Sequence, residues 1–173
     1  MDAKAKIAHC QFLINRFDVY MGGVNSKVAF YLTINTFILG GICIGYNSCK
    51  NCLHTWIYTT LLVSTALLLL CCLGSIYYTI RAVAPYLTDN LIKDDRDSLI
   101  FFGGIAKHQC LNFQDKFTNQ DQEAVAEDFV RQVHSMACGL QRKFSQLNKA
   151  TWFLLGEYGL LIVVIFLTFL ILQ

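Results

Sequence analysis

The chain has 173 residues, of which 55% are hydrophobic and only 15% charged, with a mean hydropathy of +0.45. Soluble domains carry about a quarter charged residues, so this balance points to a membrane protein. A net charge of +2 is too small to argue for a nucleic-acid partner, and no repeat or Pro/Ser-rich linker divides the chain.

In chain order, residues 1–27 form the first polar segment. Asp2, Lys4, Lys6, Arg16, Asp18 and Lys27 fall within it, so no apolar stretch of a secretory signal begins the chain. Ile7, Cys10, Ile14, Phe17, Met21, Val24 and Val28 alternate steps of three and four. That is the a/d seam of a helix that packs along one face, and it runs directly into the first apolar stretch. Gly22-Gly23 interrupts the seam and offers a place for a bend.

Three stretches are apolar and long enough to cross a bilayer, which takes roughly 20 helical residues: 28–46, 56–80 and 152–172. Tyr46, Trp56, Tyr77 and Trp152 stand at or near their ends, where amphipathic rings favour the interface. The basic residues are distributed unevenly. Lys4, Lys6, Arg16 and Lys27 precede the first stretch, and Lys50 alone lies in the 47–55 connection. Nine basic residues fall between Arg81 and Lys149, and none follows the third stretch. The positive-inside rule then places the N-terminus and 81–151 in the cytoplasm, with 47–55 and Gln173 outside.

Within 81–151, the apolar run "SLIFFGGIA" at 98–106 is too short to span. A helix beginning at Ser98, capped by Ser98 or Asp97, would align Phe102, Ala106, Cys110, Phe113 and Phe117 on one stripe. That stripe would bury against the heptad seams, and Gly103 and Gly104 would let another helix approach closely. An interfacial segment on the inner leaflet is the alternative. A second seam follows, through Ala126, Phe129, Val133, Met136 and Leu140, then shifting register to Phe144 and Leu147. Thr118 or Asn119 is the expected N-cap, with Asp121, Glu123, Glu127 and Asp128 in the first turns. No proline lies between Thr118 and Gln173, so one helix can run from about 120 to 172. The expected fold is therefore all-α: an integral membrane protein with three transmembrane helices and a cytoplasmic helical bundle.

Polar residues within the spans carry a function by default. Glu157, in "LLGEYGLL", reads either as a gating carboxylate in an oligomer or as a carboxylate neutralised near the interface. Asn35 is a second intramembrane polar group, suited to an interhelical hydrogen bond. Gly74, Gly156 and Gly159 favour close helix contact. Cys49 and Cys52, in "CKNC", could form a disulfide in an oxidising compartment or remain free thiols. Cys43, Cys71 and Cys72 read as small apolar fillers. His9-Cys10, His108/Cys110 and His134/Cys138 leave a shared zinc site open, but the spacings match no finger pattern and Cys10 and Cys110 already fit the apolar stripes. No metal or other cofactor is expected. Phosphate-binding loops and hydrolase or metalloprotease signatures are absent from the sequence, so the chain reads as non-enzymatic.

Three stretches carry a resemblance. "INRFDVYMGGVNSKVAFYLTINTFIL" resembles the approach to the first span in the membrane effectors of Pycsar antiphage systems. "YLTDNL…SLIFFGGIAKH…F" resembles that family's cytoplasmic FFG-x-I segment. "VAEDFVRQVHSMACGLQRKFSQLNKA" is similar to the helix that leads through Lys143 and Phe144 into its last span. The resemblance implies a bacterial inner-membrane effector; separately, three spans are few for a pore, so a homo-oligomer is expected. The implied effector would sense a cyclic pyrimidine mononucleotide, cUMP or cCMP, made by a partner cyclase on infection, and then damage the lipid bilayer. Such a ligand needs a cation for its phosphate, a ring against its base and a polar group at the base edge. The candidates are Arg96, Lys107, Arg131, Arg142 and Lys143 for phosphate, Phe101, Phe102 and Phe113 for stacking, and Gln109 and Asn112 for the edge. For any one of these residues, a solvated helix face or plain core is the competing reading. The rival functions are a small channel or transporter subunit and a structural membrane adaptor.

Overall fold

The computed structural model describes residues 2–48, 55–84 and 98–172. Every element among them is a helix: α1 (Ala3–Ser48), α2 (Thr55–Val83), α3 (Phe102–Ile105), α4 (Cys110–Thr118) and α5 (Gln122–Leu172). α2 stops at Val83, two residues before the chain's single proline, because a following pyrrolidine ring disfavours helical backbone at the residue preceding it. α1 continues through Gly22-Gly23 without a break, and α5 is one helix of 51 residues.

Two compact units result. The first comprises Met1–Gly23 and Pro85–Arg142, the second Val24–Ala84 and Lys143–Gln173. In the first unit, α1 turns Ile7, Cys10, Ile14, Phe17 and Met21 inward, as its seam requires. Ala126, Phe129, Val133, Met136 and Leu140 of α5 are likewise buried or half-buried. Lys6 pairs with Glu123 where the two helices begin; both side chains are exposed, so the pair adds little stability.

The second unit inverts the pattern of a soluble domain. Large apolar side chains face outward, among them Phe37 at 75% exposure, Ile162 at 69% and Trp152 at 69%, whereas Asn35, Ser75, Thr79 and Glu157 are buried. A surface of that kind is stable against lipid and not against water. All three long helices meet the length and hydropathy of a membrane span. Ile38, Leu68 and Cys72 form an apolar core, flanked by Ile34, Leu39, Ile42, Leu160, Leu161 and Val164.

Five local expectations are corrected. Residues 98–109 do not form part of a single helix. Ser98–Phe101 is a turn, α3 has four residues, and extended backbone at Gln109 (φ −69°, ψ 145°) separates α3 from α4. The expected buried stripe does not form: Phe102, Ala106, Cys110 and Phe117 are exposed, and Phe113 alone is half-buried. Asn119 ends α4, and α5 begins after Asp121, whose carbonyl accepts the Val125 N–H at 3.0 Å. The α5 seam does not shift to Phe144, which is 42% exposed. It keeps phase through Leu140, Lys143, Leu147, Ala150, Leu154 and Glu157, all buried or half-buried.

The glycine pair does not open a groove for another helix. A Cβ on Gly104 would strike the carbonyl oxygen of Ser98, and one on Gly103 would meet the Phe101 ring. Gly104 thus lets the preceding turn fold back on α3. Gly104→Ala is expected to displace that turn and lower stability by about 1–3 kcal/mol. Gly23→Ala has no neighbour within 4 Å of the new methyl and should gain about 0.5–1 kcal/mol of helix stability. Thermal unfolding of the detergent-solubilised variants checks the opposite signs.

Candidate functional site

In the first unit the apolar run 98–106 leaves backbone donors that need partners, and the Asp128 carboxylate and the Ser98 hydroxyl between them supply three. Asp128, on α5 and only 3% exposed, accepts the Leu99 N–H at 3.0 Å and the Ser98 hydroxyl at 3.0 Å. The Ser98 oxygen in turn accepts the N–H groups of Phe101 at 3.0 Å and Ile100 at 3.3 Å. Arg131 lies 3.7 Å from the other Asp128 oxygen. A continuous set of contacts therefore runs from Arg131 through Asp128 and Ser98 to Phe101. Asp128 was expected only as a first-turn helix charge.

Of the candidate ligand residues, this set of contacts includes Arg131 and the backbone N–H of Phe101, and Phe102 adjoins Phe101. The two phenyl rings stand 4.6 Å apart at an angle of 54°, with Phe101 half-buried and Phe102 exposed. Lys107, Gln109 and Asn112 are exposed on and just before α4. Phe113 is half-buried against Phe117, with ring centroids 5.6 Å apart. Arg142 is exposed near the middle of α5. Arg96, Cys49 and Cys52 lie outside the described residues. His134 and Cys138 face each other at 3.9–4.0 Å on α5. Among the described residues, no three of His, Cys, Asp and Glu come together as a metal site.

Lys143 belongs to the second unit. Its ammonium donates to the Val83 carbonyl at 3.3 Å, at the C-terminus of α2, where a cation suits the helix dipole. Burial pushes this ammonium below the ordinary lysine range. Further along, the Asn35 amide donates to the Tyr31 carbonyl at 2.9 Å and to Ser75 Oγ at 3.1 Å, joining α1 to α2. Tyr31 and Thr151 share a hydrogen bond of 2.9 Å, joining α1 to α5. Glu157 is fully buried, with the Ser75 hydroxyl as its one polar neighbour, and no hydrogen bond of ordinary geometry reaches either of its oxygens among the described residues.

An all-helical chain with three span-length helices, apolar outer faces and polar side chains turned inward is a small multi-pass membrane protein. The family model of the Pycsar effector protein domain matches residues 9–171, and the chain belongs to that family: it is a membrane effector of Pycsar antiphage defence. No curated protein and no solved structure matches it.

Replacing Asp128 by Ala is expected to lower stability by about 1.5–3 kcal/mol, the usual effect of losing hydrogen bonds to a charged group. Amide exchange at residues 99–101 should rise before that of α5. Hydrogen-exchange mass spectrometry reads both changes, and unaltered protection over 98–106 would contradict the anchoring role.

Proposed function

We propose that this effector resides in the bacterial inner membrane, with its N-terminus and residues 81–151 cytoplasmic. There it senses cUMP or cCMP through its cytoplasmic helices and, as a homo-oligomer, impairs the membrane so that the infected cell stops growing. The observation that supports this reading best is helix continuity. α1 and α5 each pass from a polar segment into an apolar one without interruption, so a change in packing at one end has a covalent, hydrogen-bonded route to the other. A ligand shifts such an equilibrium by its differential affinity for the two packings.

The binding chemistry is best met around Arg131, Phe101 and Phe102, with Lys107 as a second cation. Arg131 already faces a carboxylate, so a cyclic phosphate would compete with Asp128 for its guanidinium. That competition offers a direct way to loosen the 98–101 turn on binding. A single negative charge and a flat base match one guanidinium and an exposed phenyl ring.

The adaptor reading is favoured by a different observation. Phe12, Val19, Phe102, Leu111 and Phe117 of the first unit are all exposed, an apolar surface that would suit a protein partner or a second copy.

Calorimetric titration of the full-length protein in nanodiscs with cUMP, cCMP and a cyclic dinucleotide separates the two. The effector reading expects one cyclic pyrimidine mononucleotide to bind and to trigger dye release from proteoliposomes. Arg131→Ala should weaken that binding at least tenfold, about 1.4 kcal/mol. Absence of binding and of leakage with both mononucleotides would leave the adaptor.

A further inference from the structure

We propose that Glu157, together with Asn35 and Ser75, forms a binding site for one monovalent cation, a proton or Na⁺, within the membrane-spanning helices. The argument is one of donors and acceptors. Glu157 has no exposed surface, and among the described residues the adjacent Ser75 hydroxyl is the one polar group within reach of its two oxygens. The Asn35 amide spends its nitrogen on Tyr31 and Ser75, leaving its buried Oδ1 unpartnered. One turn from Ser75 on α2, the buried Thr79 hydroxyl oxygen is unpartnered as well. The Ser75 hydroxyl carries one hydrogen and can satisfy one of these acceptors at most.

The cluster is therefore rich in acceptors, and its deficit is positive charge. A water molecule would bring two hydrogens but leave the carboxylate uncompensated in an apolar interior. A bound proton or a hard monovalent cation supplies what is missing. One carboxylate and neutral oxygens suit a single positive charge, whereas a divalent ion would leave an excess. Oxygen donors alone do not suit a soft metal.

The surroundings isolate the site. Ile38, Leu68 and Cys72, with Leu160, Leu161 and Val164, fill the interior on the side toward the 47–55 connection. The titratable groups nearby are few. From α2, the Cys71 sulfur stands 3.7 Å from where a Cβ on Gly156 would lie, and Cys72 is fully buried in the adjoining apolar core. From α1, Tyr31 is one turn from Asn35 and is hydrogen-bonded to Thr151. On α5, Tyr158 is partly exposed and the Lys149 ammonium sits over the Tyr78 ring. None of them offers Glu157 a counter-charge.

This inference rests on the membrane reading and not on nucleotide sensing. It is tested on ligand-free, full-length protein in nanodiscs, so that failure of either idea leaves the other standing. The probe is dicyclohexylcarbodiimide, which partitions into apolar surroundings and adds to carboxyl groups in their protonated form, with the adduct located by mass spectrometry. Glu157 should be labelled, and the rate should fall about tenfold per pH unit once the carboxyl ionises. If Na⁺ is the occupant, replacing choline by Na⁺ at constant pH and ionic strength slows labelling; if a proton is, only pH does. The same dependence should appear in thermal unfolding of the wild type and vanish in Glu157→Gln, whose neutral amide needs no cation. A Cys71→Ala/Cys72→Ala variant should retain it. Two results would each overturn the proposal: labelling that is absent or insensitive to both pH and Na⁺, or identical pH and Na⁺ profiles of unfolding for the wild type and Glu157→Gln. Should the Gln variant not insert, labelling of the wild type decides alone.

Discussion

Inside a bilayer a polar side chain finds no water, so its hydrogen bonds must come from protein. That constraint organises the second unit. Asn35, Ser75, Thr79 and Glu157 fall on the inward faces of α1, α2 and α5, while phenylalanine, leucine and isoleucine cover the outside. The same constraint explains the hydroxyls left on outer faces. Thr33, Thr36 and Thr60 each donate to the carbonyl four residues earlier, at 2.8–2.9 Å, closing their hydrogen bonds within their own helix.

The heptad phase shows where apolar counting and geometry part company. On α1, Tyr31, Asn35, Ile38 and Ile42 continue the alternation begun at Ile7, all buried or half-buried. Asn35 is inward because of its register and despite its polarity. On α5, apolarity favours Phe144 as the next seam residue, and register favours Lys143. Register prevails, because a lysine stem can lie along apolar surface while its ammonium reaches a carbonyl at a helix end, here that of Val83. The three spans and both seams were thus legible as periodicity. The occupants of individual seam positions were legible only by holding the phase fixed.

Residues 98–109 were misread for a different reason. Local pattern allowed a helix from Ser98, but Asp128, 30 residues away, takes the Ser98 hydroxyl and a neighbouring residue's N–H. Tertiary capture of backbone donors overrides local propensity here, and no periodicity encodes it. The candidate ligand residues fared accordingly. Arg131 and the Phe101 backbone belong to one set of contacts through Asp128 and Ser98. The chemistry of Asp128, which joins them, looked like ordinary helix capping. Asp121 was passed over as the cap for the same reason: several acidic and amide residues stand in a row, and only the path of the chain selects one.

Lys143 and Glu157 occupy equivalent positions on the α5 seam, two heptads apart, and the contrast between them shows what position in the bilayer does to a charge. Lys143 precedes the apolar stretch, and its long stem delivers the ammonium to a helix terminus. Glu157 begins five residues beyond Trp152 and has a short stem. An intramembrane ionisable group costs about 2.5–3.5 kcal/mol on insertion scales, whereas an interhelical hydrogen bond returns on average about 0.6 kcal/mol. Ser75 alone therefore cannot offset a bare carboxylate at that place, and retaining Glu157 there requires that its charge be met by something the side chains around it do not provide.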